Sequence, residues 1–146
     1  MGFFEKVKNA FDSLEMKRKK SHLKNLYQIA LADGKIENQE FDFLINVCDR
    51  IYVDRAILQE IINFSEDIQF YIPENLNEKI DNLYDYVRMA ISDGELNELE
   101  IVNCKLFAVK YGFKPTIIDI ILKELINAIV KGIAREIIIN RLLKLL

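Results

Sequence analysis

The stretch Ala32-Asp33-Gly34-Lys35-Ile36-Glu37-Asn38-Gln39-Glu40 returns sixty positions later as Ser92-Asp93-Gly94-Glu95-Leu96-Asn97-Glu98-Leu99-Glu100. Both copies read Asp-Gly-x-aliphatic-x-x-x-Glu, and each lies between two apolar patterns of helical period. The offset holds outside the turn as well: Leu23 matches Leu83, Ala30 matches Ala90, Leu31 matches Ile91, Ile57 matches Ile117 and Ile61 matches Ile121. The spacing predicts an internal duplication, each copy a helix-turn-helix followed by a third helix. Two copies are too few for a solenoid, which needs three or more units, so they are expected to close on each other. The expected fold is all-α: a helical bundle of two pseudo-symmetric three-helix repeats, about 21–64 and 81–124, with N- and C-terminal amphipathic helices. All of it falls within a single domain over residues 1–146.

Composition agrees with that architecture. Half of the 146 residues are hydrophobic, and five Gly and two Pro leave little material for loops. Asn75 with Glu78 has the spacing of a capping box that opens repeat two, and Ser65 to Pro73 reads as the linker before it. Asp54 is placed to cap the third helix of repeat one. In repeat two, Gly112 ends the second helix, Pro115 suits the first turn of the third, and Gly132 marks a break before the tail. Cys48 and Cys104 fall in apolar helical patterns at non-equivalent repeat positions, so they are expected as buried free thiols. No apolar run nears the length of a membrane span, and Phe3-Phe4 is followed at once by Glu5 and Lys6, so a cytoplasmic protein is expected.

Charge is unevenly spread. Residues 1–24 hold seven Lys or Arg against three acids, residues 25–100 five against seventeen, and residues 101–146 eight against three. Basic ends and an acidic middle either present opposite faces to different partners or solvate helix exteriors. Because the basic residues are split between the ends and the net charge is −3, no nucleic-acid partner is expected. Phe3, Phe4, Val7, Phe11 and Leu14 make an amphipathic stripe beside Lys17-Arg18-Lys19-Lys20. Residues 3–20 therefore read either as a peripheral membrane contact or as cover for the bundle's own core. The tail from Ile133 to Leu146 is too apolar to stand in water and calls for a cover: the N-terminal helix, a second subunit in a homodimer, or lipid. His22, the single histidine, has no Cys or second His beside it and is expected at the surface.

The duplicated turn carries the candidate chemistry. It matches the second half of an EF-hand loop, with Asp fifth, Gly sixth, an aliphatic eighth and Glu twelfth. The first and third places hold Ile29 and Leu31 in one copy and Met89 and Ile91 in the other, which excludes an ordinary EF-hand calcium site. Asp33, Glu37 and Glu40 remain in the first copy, and Asp93, Glu95, Glu98 and Glu100 in the second. Carboxylate oxygens suit a hard divalent cation, Ca²⁺ or Mg²⁺, and a useful site would have to pool both turns or recruit water. The alternative is structural: Asn97 with Glu100, and Glu37 with Glu40, are spaced as helix cap and third helical residue. No nucleophile stands near a His, and there is no zinc pair and no phosphate loop, so an enzyme is not expected.

The two Ala/Ser-Asp-Gly turns, the run from Ser92-Asp93-Gly94 to Tyr111-Gly112-Phe113 and the opening Met1-Gly2-Phe3-Phe4-Glu5-Lys6-Val7-Lys8-Asn9-Ala10-Phe11 resemble the tellurite-resistance TerB family. A related module of membrane-anchored DnaJ-type co-chaperones is also similar. The resemblance covers roughly residues 1–130. It implies an all-α bundle and a non-enzymatic role in stress-response or defence complexes. Divalent-metal binding through acidic turns falling on Asp33, Glu40, Asp93 and Glu100, and a protein partner associated with a membrane, are implied as well. A membrane-peripheral adaptor or co-chaperone-like scaffold is the alternative role. The chain departs from the family's pattern at Asn97, where an acid is common, and in the apolar tail after Gly132.

Overall fold

Ser13 accepts a hydrogen bond from the Met16 N–H at 3.1 Å and opens the first helix of the computed structural model, which describes residues 2–3, 12–92 and 94–146. Among the described residues the chain is an all-α bundle of seven α-helices with no strand: α1 (Leu14–Ala30), α2 (Asn38–Arg50), α3 (Ala56–Phe64), α4 (Leu76–Ala90), α5 (Glu98–Lys110), α6 (Pro115–Val130) and α7 (Arg135–Leu145). A 3₁₀ turn, Ser65–Asp67, follows α3.

Each boundary has a local cause. Asp54 Oδ1 accepts from the Ala56 N–H at 2.9 Å where α3 begins, and Asn75 Oδ1 accepts from the Glu78 N–H at 2.8 Å at the head of α4. Pro115 sits at the first position of α6, where its missing N–H leaves no bond unmade. Both ends of α2 and α5 lie sixty positions apart, as do the ends of α1 and α4 at Ala30 and Ala90. After α5 the chain turns through Gly112 at φ 93°; sixty positions earlier, after α2, Tyr52 takes φ 60°, a left-handed conformation that a side chain opposes.

Two helices organise the core. α1 packs on α2, α3, α4 and α5, while α4 packs on α1, α5, α6 and α7. Between them Leu23, Leu26, Ile29, Ile80, Leu83 and Val87 are fully buried. The segment after the 3₁₀ turn is tied across α1, because Lys24 Nζ donates to the Ile68 carbonyl at 2.7 Å and the Tyr71 N–H donates to Ser21 Oγ at 2.9 Å. Cys48 and Cys104 are free and buried, as their apolar settings predict.

The apolar tail forms α7, whose Ile138, Ile139 and Leu142 are buried where it packs on α4 and α6, so core helices of the chain itself supply cover for it. Ile137 stays 49 % exposed, since the helix has only one side to bury. The expected N-terminal stripe falls largely outside the described residues: Phe4, Val7 and Phe11 are not among them, and Phe3 is exposed.

Candidate functional site: the paired acidic turns

The two turns meet. Asn97 Nδ2 donates to Asp33 Oδ2 at 3.2 Å, and a pocket of about 230 Å³ is lined by Asp33, Glu37, Gln39, Glu40, Ser92, Asn97 and Glu100, with Ala90 at its wall. Local chemistry shapes each half. Gly34 and Gly94 take φ of 96° and 87°, the left-handed region that ends α1 and α4. A Cβ at either would touch nothing within 4 Å, so the backbone angle alone demands glycine there. In the first turn Glu37 and Glu40 form a capping box: the Glu37 N–H donates to Glu40 Oε1 at 3.0 Å and thereby turns the Glu40 side chain inward. In the second, Asn97 Oδ1 accepts from the Glu100 N–H at 3.1 Å, while the Asn97 N–H donates to the Ala90 carbonyl at 3.1 Å. The second cap thus ties the turn back to α4.

Of the seven candidate carboxylates of the two turns, the structure brings four to one pocket: Asp33, Glu37, Glu40 and Glu100. Glu95 and Glu98 are exposed and not part of the pocket lining, and Asp93 lies outside the described residues. Glu40 and Glu100 are each only 3 % exposed, unusual burial for carboxylates. Glu40 Oε1 serves the cap, whereas Glu40 Oε2 is buried and has no hydrogen-bond partner among the described residues. A buried carboxylate oxygen in that state favours a cation beside it. Among the described residues no group of three His, Cys, Asp or Glu stands ready to hold a metal ion, so a cation there would depend on water for part of its shell.

A second polar centre escaped the sequence reading. His22 is buried, 6 % exposed, contrary to its expected place at the surface. Its Nε2 lies 2.7 Å from Asp85 Oδ2 and its Nδ1 3.1 Å from the Tyr86 hydroxyl. The Asp85 carboxylate also accepts from Arg50, with Nη1 at 2.8 Å, and from Arg135 Nη2 at 2.6 Å; Arg135 Nη1 reaches Asp81 at 2.9 Å. The Tyr86 hydroxyl is 2.6 Å from that of Tyr111 and accepts from Asn25 Nδ2 at 3.0 Å. Burial works to raise the Asp85 pKa, but the hydrogen bonds from His22 and Arg50 and the charge of Arg135 outweigh it and hold the carboxyl well below the usual range. The one sequence signal was the repeat offset, which pairs Asn25 with Asp85 and His22 with Asn82 on helix faces otherwise filled by Leu23, Leu26 and Leu83.

The basic cluster Lys17 to Lys20 is part of α1, and among the described residues Arg18, Lys19 and Lys20 are engaged in ion pairs. Arg18 pairs with Glu74 at 2.8 Å, Lys19 with Glu15 at 3.2 Å, and buried Lys20 with Asp12 at 2.5 Å and Glu60 at 2.9 Å. The pairs with Glu74 and Glu60 brace α1 against neighbouring segments, while Lys19–Glu15 lies within α1 itself. No helix among the described residues is long and apolar enough to cross a membrane.

Residues 1–63 match the family model of the tellurite resistance protein TerB. The match takes in the whole first turn, Asp33 to Glu40, with α1, α2 and most of α3. No curated protein and no solved structure matches the chain. The likeness to that family reaches less than half of the 146 residues.

Proposed function

We propose that the pocket between the two turns takes a divalent cation, Ca²⁺ or Mg²⁺, and that the cation governs how this TerB-like module engages a cytoplasmic protein partner. The observation that carries the reading is the joining of the turns: Asn97 on Asp33, with Glu37, Glu40 and Glu100 around one pocket and Glu40 Oε2 buried without a hydrogen bond. Hard oxygen donors of this kind suit Ca²⁺ and Mg²⁺, with water completing the shell. Asp33, Glu37, Glu40 and Glu100 would hold the ion. Its charge would offset the crowding of like charges and fasten repeat one to repeat two.

The two repeats, about 21–64 and 81–124, form one domain related by a pseudo-two-fold axis; the shared sixty-residue offset of α2 and α5 supports this. Membrane association through residues 3–20 is the weaker reading, because Arg18, Lys19 and Lys20 are already in ion pairs within the chain. Thermal melting in chelator and in millimolar Ca²⁺, Mg²⁺, Mn²⁺ or Zn²⁺ tests the proposal. A rise confined to the hard ions and abolished by Glu40→Gln supports it; equal melting in every condition leaves the turns with a capping role only.

A further inference from the structure

Glu40 stands at the twelfth place of the EF-hand spacing, where a calcium loop puts the Glu that grips its ion with both oxygens. Here that grip is closed off. The Glu37 N–H holds Glu40 Oε1 at 3.0 Å and leaves only Oε2 to spare, buried and without a hydrogen-bond partner among the described residues. The neighbouring carboxylates are tied in the same manner. Asn97 Nδ2 donates to Asp33 Oδ2 at 3.2 Å, the Lys35 N–H reaches Asp33 Oδ1 at 3.4 Å, and Lys35 Nζ lies 3.3 Å from Glu37 Oε1. Protein donors thus hold an oxygen of Asp33, Glu37 and Glu40 alike, so an ion among them would meet these carboxylates one oxygen at a time.

Coordination number then separates the two hard ions. Ca²⁺ takes about six to eight oxygens and in calcium loops draws on a two-oxygen carboxylate, whereas Mg²⁺ takes about six, keeps several waters and is held by one or two carboxylates. Among the described residues no group of three His, Cys, Asp or Glu is placed to hold an ion, so water would make up most of the shell. The pocket, about 230 Å³, has room for an ion that keeps its waters. We infer that the joined turns select Mg²⁺ over Ca²⁺ and that the Glu37 N–H is the selecting group, because it keeps Glu40 from closing on the ion with both oxygens. The inference rests on the cation reading proposed above and goes beyond it, since the EF-hand spacing alone points to Ca²⁺.

Two substitutions at one position isolate the N–H. Glu37 has φ −77° and ψ 159°, which proline adopts, so Glu37→Pro removes the donor at the start of α2 and releases Glu40 Oε1. Glu37→Gln loses the same carboxylate but keeps the donor. Isothermal titration of each ion into the chelator-treated full chain gives the ratio of the two affinities. The parent should bind Mg²⁺ the more tightly. Glu37→Gln should weaken both ions and keep the ratio, whereas Glu37→Pro should shift it about tenfold toward Ca²⁺, the worth of one charge-assisted contact. Asn97→Asp gives up the amide hold on Asp33 and adds a carboxylate, and it should shift the ratio the same way with helical circular dichroism unchanged. Ca²⁺ bound by the parent as tightly as Mg²⁺, or a ratio indifferent to Glu37→Pro and Asn97→Asp, overturns the inference and leaves the cation reading standing. A parent that binds neither ion overturns both.

Discussion

Asn97 donates from its side-chain amide to the Asp33 carboxylate at 3.2 Å, across sixty-four positions of sequence, and at the same time caps α5 by accepting the Glu100 N–H. One side chain therefore both starts a helix of the second repeat and fastens it to the first. Asn97→Asp separates the two roles. Its carboxylate keeps the cap, since Asp and Asn cap about equally well, but sets a negative charge against Asp33. In chelator the variant should melt below the parent, and Ca²⁺ should raise its melting temperature by more than it raises the parent's. A variant that matches the parent in both conditions would show that the contact with Asp33 has no electrostatic weight.

Asp85 is the keystone of the buried network. Asp85→Ala leaves His22, Arg50 and Arg135 facing a void, and breaking a buried ionic group by removing one partner costs about 3–5 kcal/mol. Chemical denaturation should show a loss of that order, and full stability would remove the network from the account. The pH dependence follows from the depressed Asp85 pKa. Its contribution is fully present above the ordinary carboxylate value of about 3.9 and is lost as pH falls below that value toward the folded-state pKa. The parent should therefore lose more stability than Asp85→Ala between pH 4 and pH 2, roughly the window set by that shift.

Tyr52 takes φ 60° where its counterpart Gly112 takes φ 93°. The Tyr52 side chain is 90 % exposed and has little packing to lose. Tyr52→Gly should stabilise the fold by up to about 1 kcal/mol, because relief of left-handed strain outweighs the added freedom of the unfolded chain. Urea denaturation measures it, and a loss of stability would point to a contact made by the ring.

Desolvation pushes the Cys48 thiol up to about 11 and the Cys104 thiol higher still, helped in both by a nearby carboxylate. Neither should react with a thiol reagent at pH 8 in the folded state, and both should react at once in denaturant. Fast labelling of the native protein would show that α2 or α5 opens readily.

Signals carried by a few adjacent residues were legible before any coordinates. Asp-Gly turns, the Asn75, Asn97 and Asp54 caps, Pro115 and the apolar period of each helix act within one turn of the backbone, and the observed boundaries follow them. That a useful cation site would have to draw on both turns or recruit water was legible as a requirement of coordination number. His22 and Lys20 were not, because their burial is decided by partners forty to sixty-four positions away, chiefly Asp85, Tyr86 and Glu60. Periodicity assigns a polar residue to the outside unless it can foresee such a partner. The helices that α7 packs on were not legible for a related reason: its apolar excess was plain, but nothing local shows that α4 and α6 each leave a face free for it.

The central claim is that the joined turns bind a hard divalent cation. Isothermal titration of Ca²⁺ and Mg²⁺ into chelator-treated protein, run beside Glu40→Gln, tests it most directly. Glu40→Gln keeps the cap, because the amide oxygen still accepts from the Glu37 N–H, but it removes the charge behind the buried Oε2. The account predicts saturable binding of one ion by the parent, its loss in Glu40→Gln, and at ten times the dissociation constant a stabilisation of about 1.4 kcal/mol. No heat of binding for either ion in the parent, or equal binding by Glu40→Gln, would contradict it.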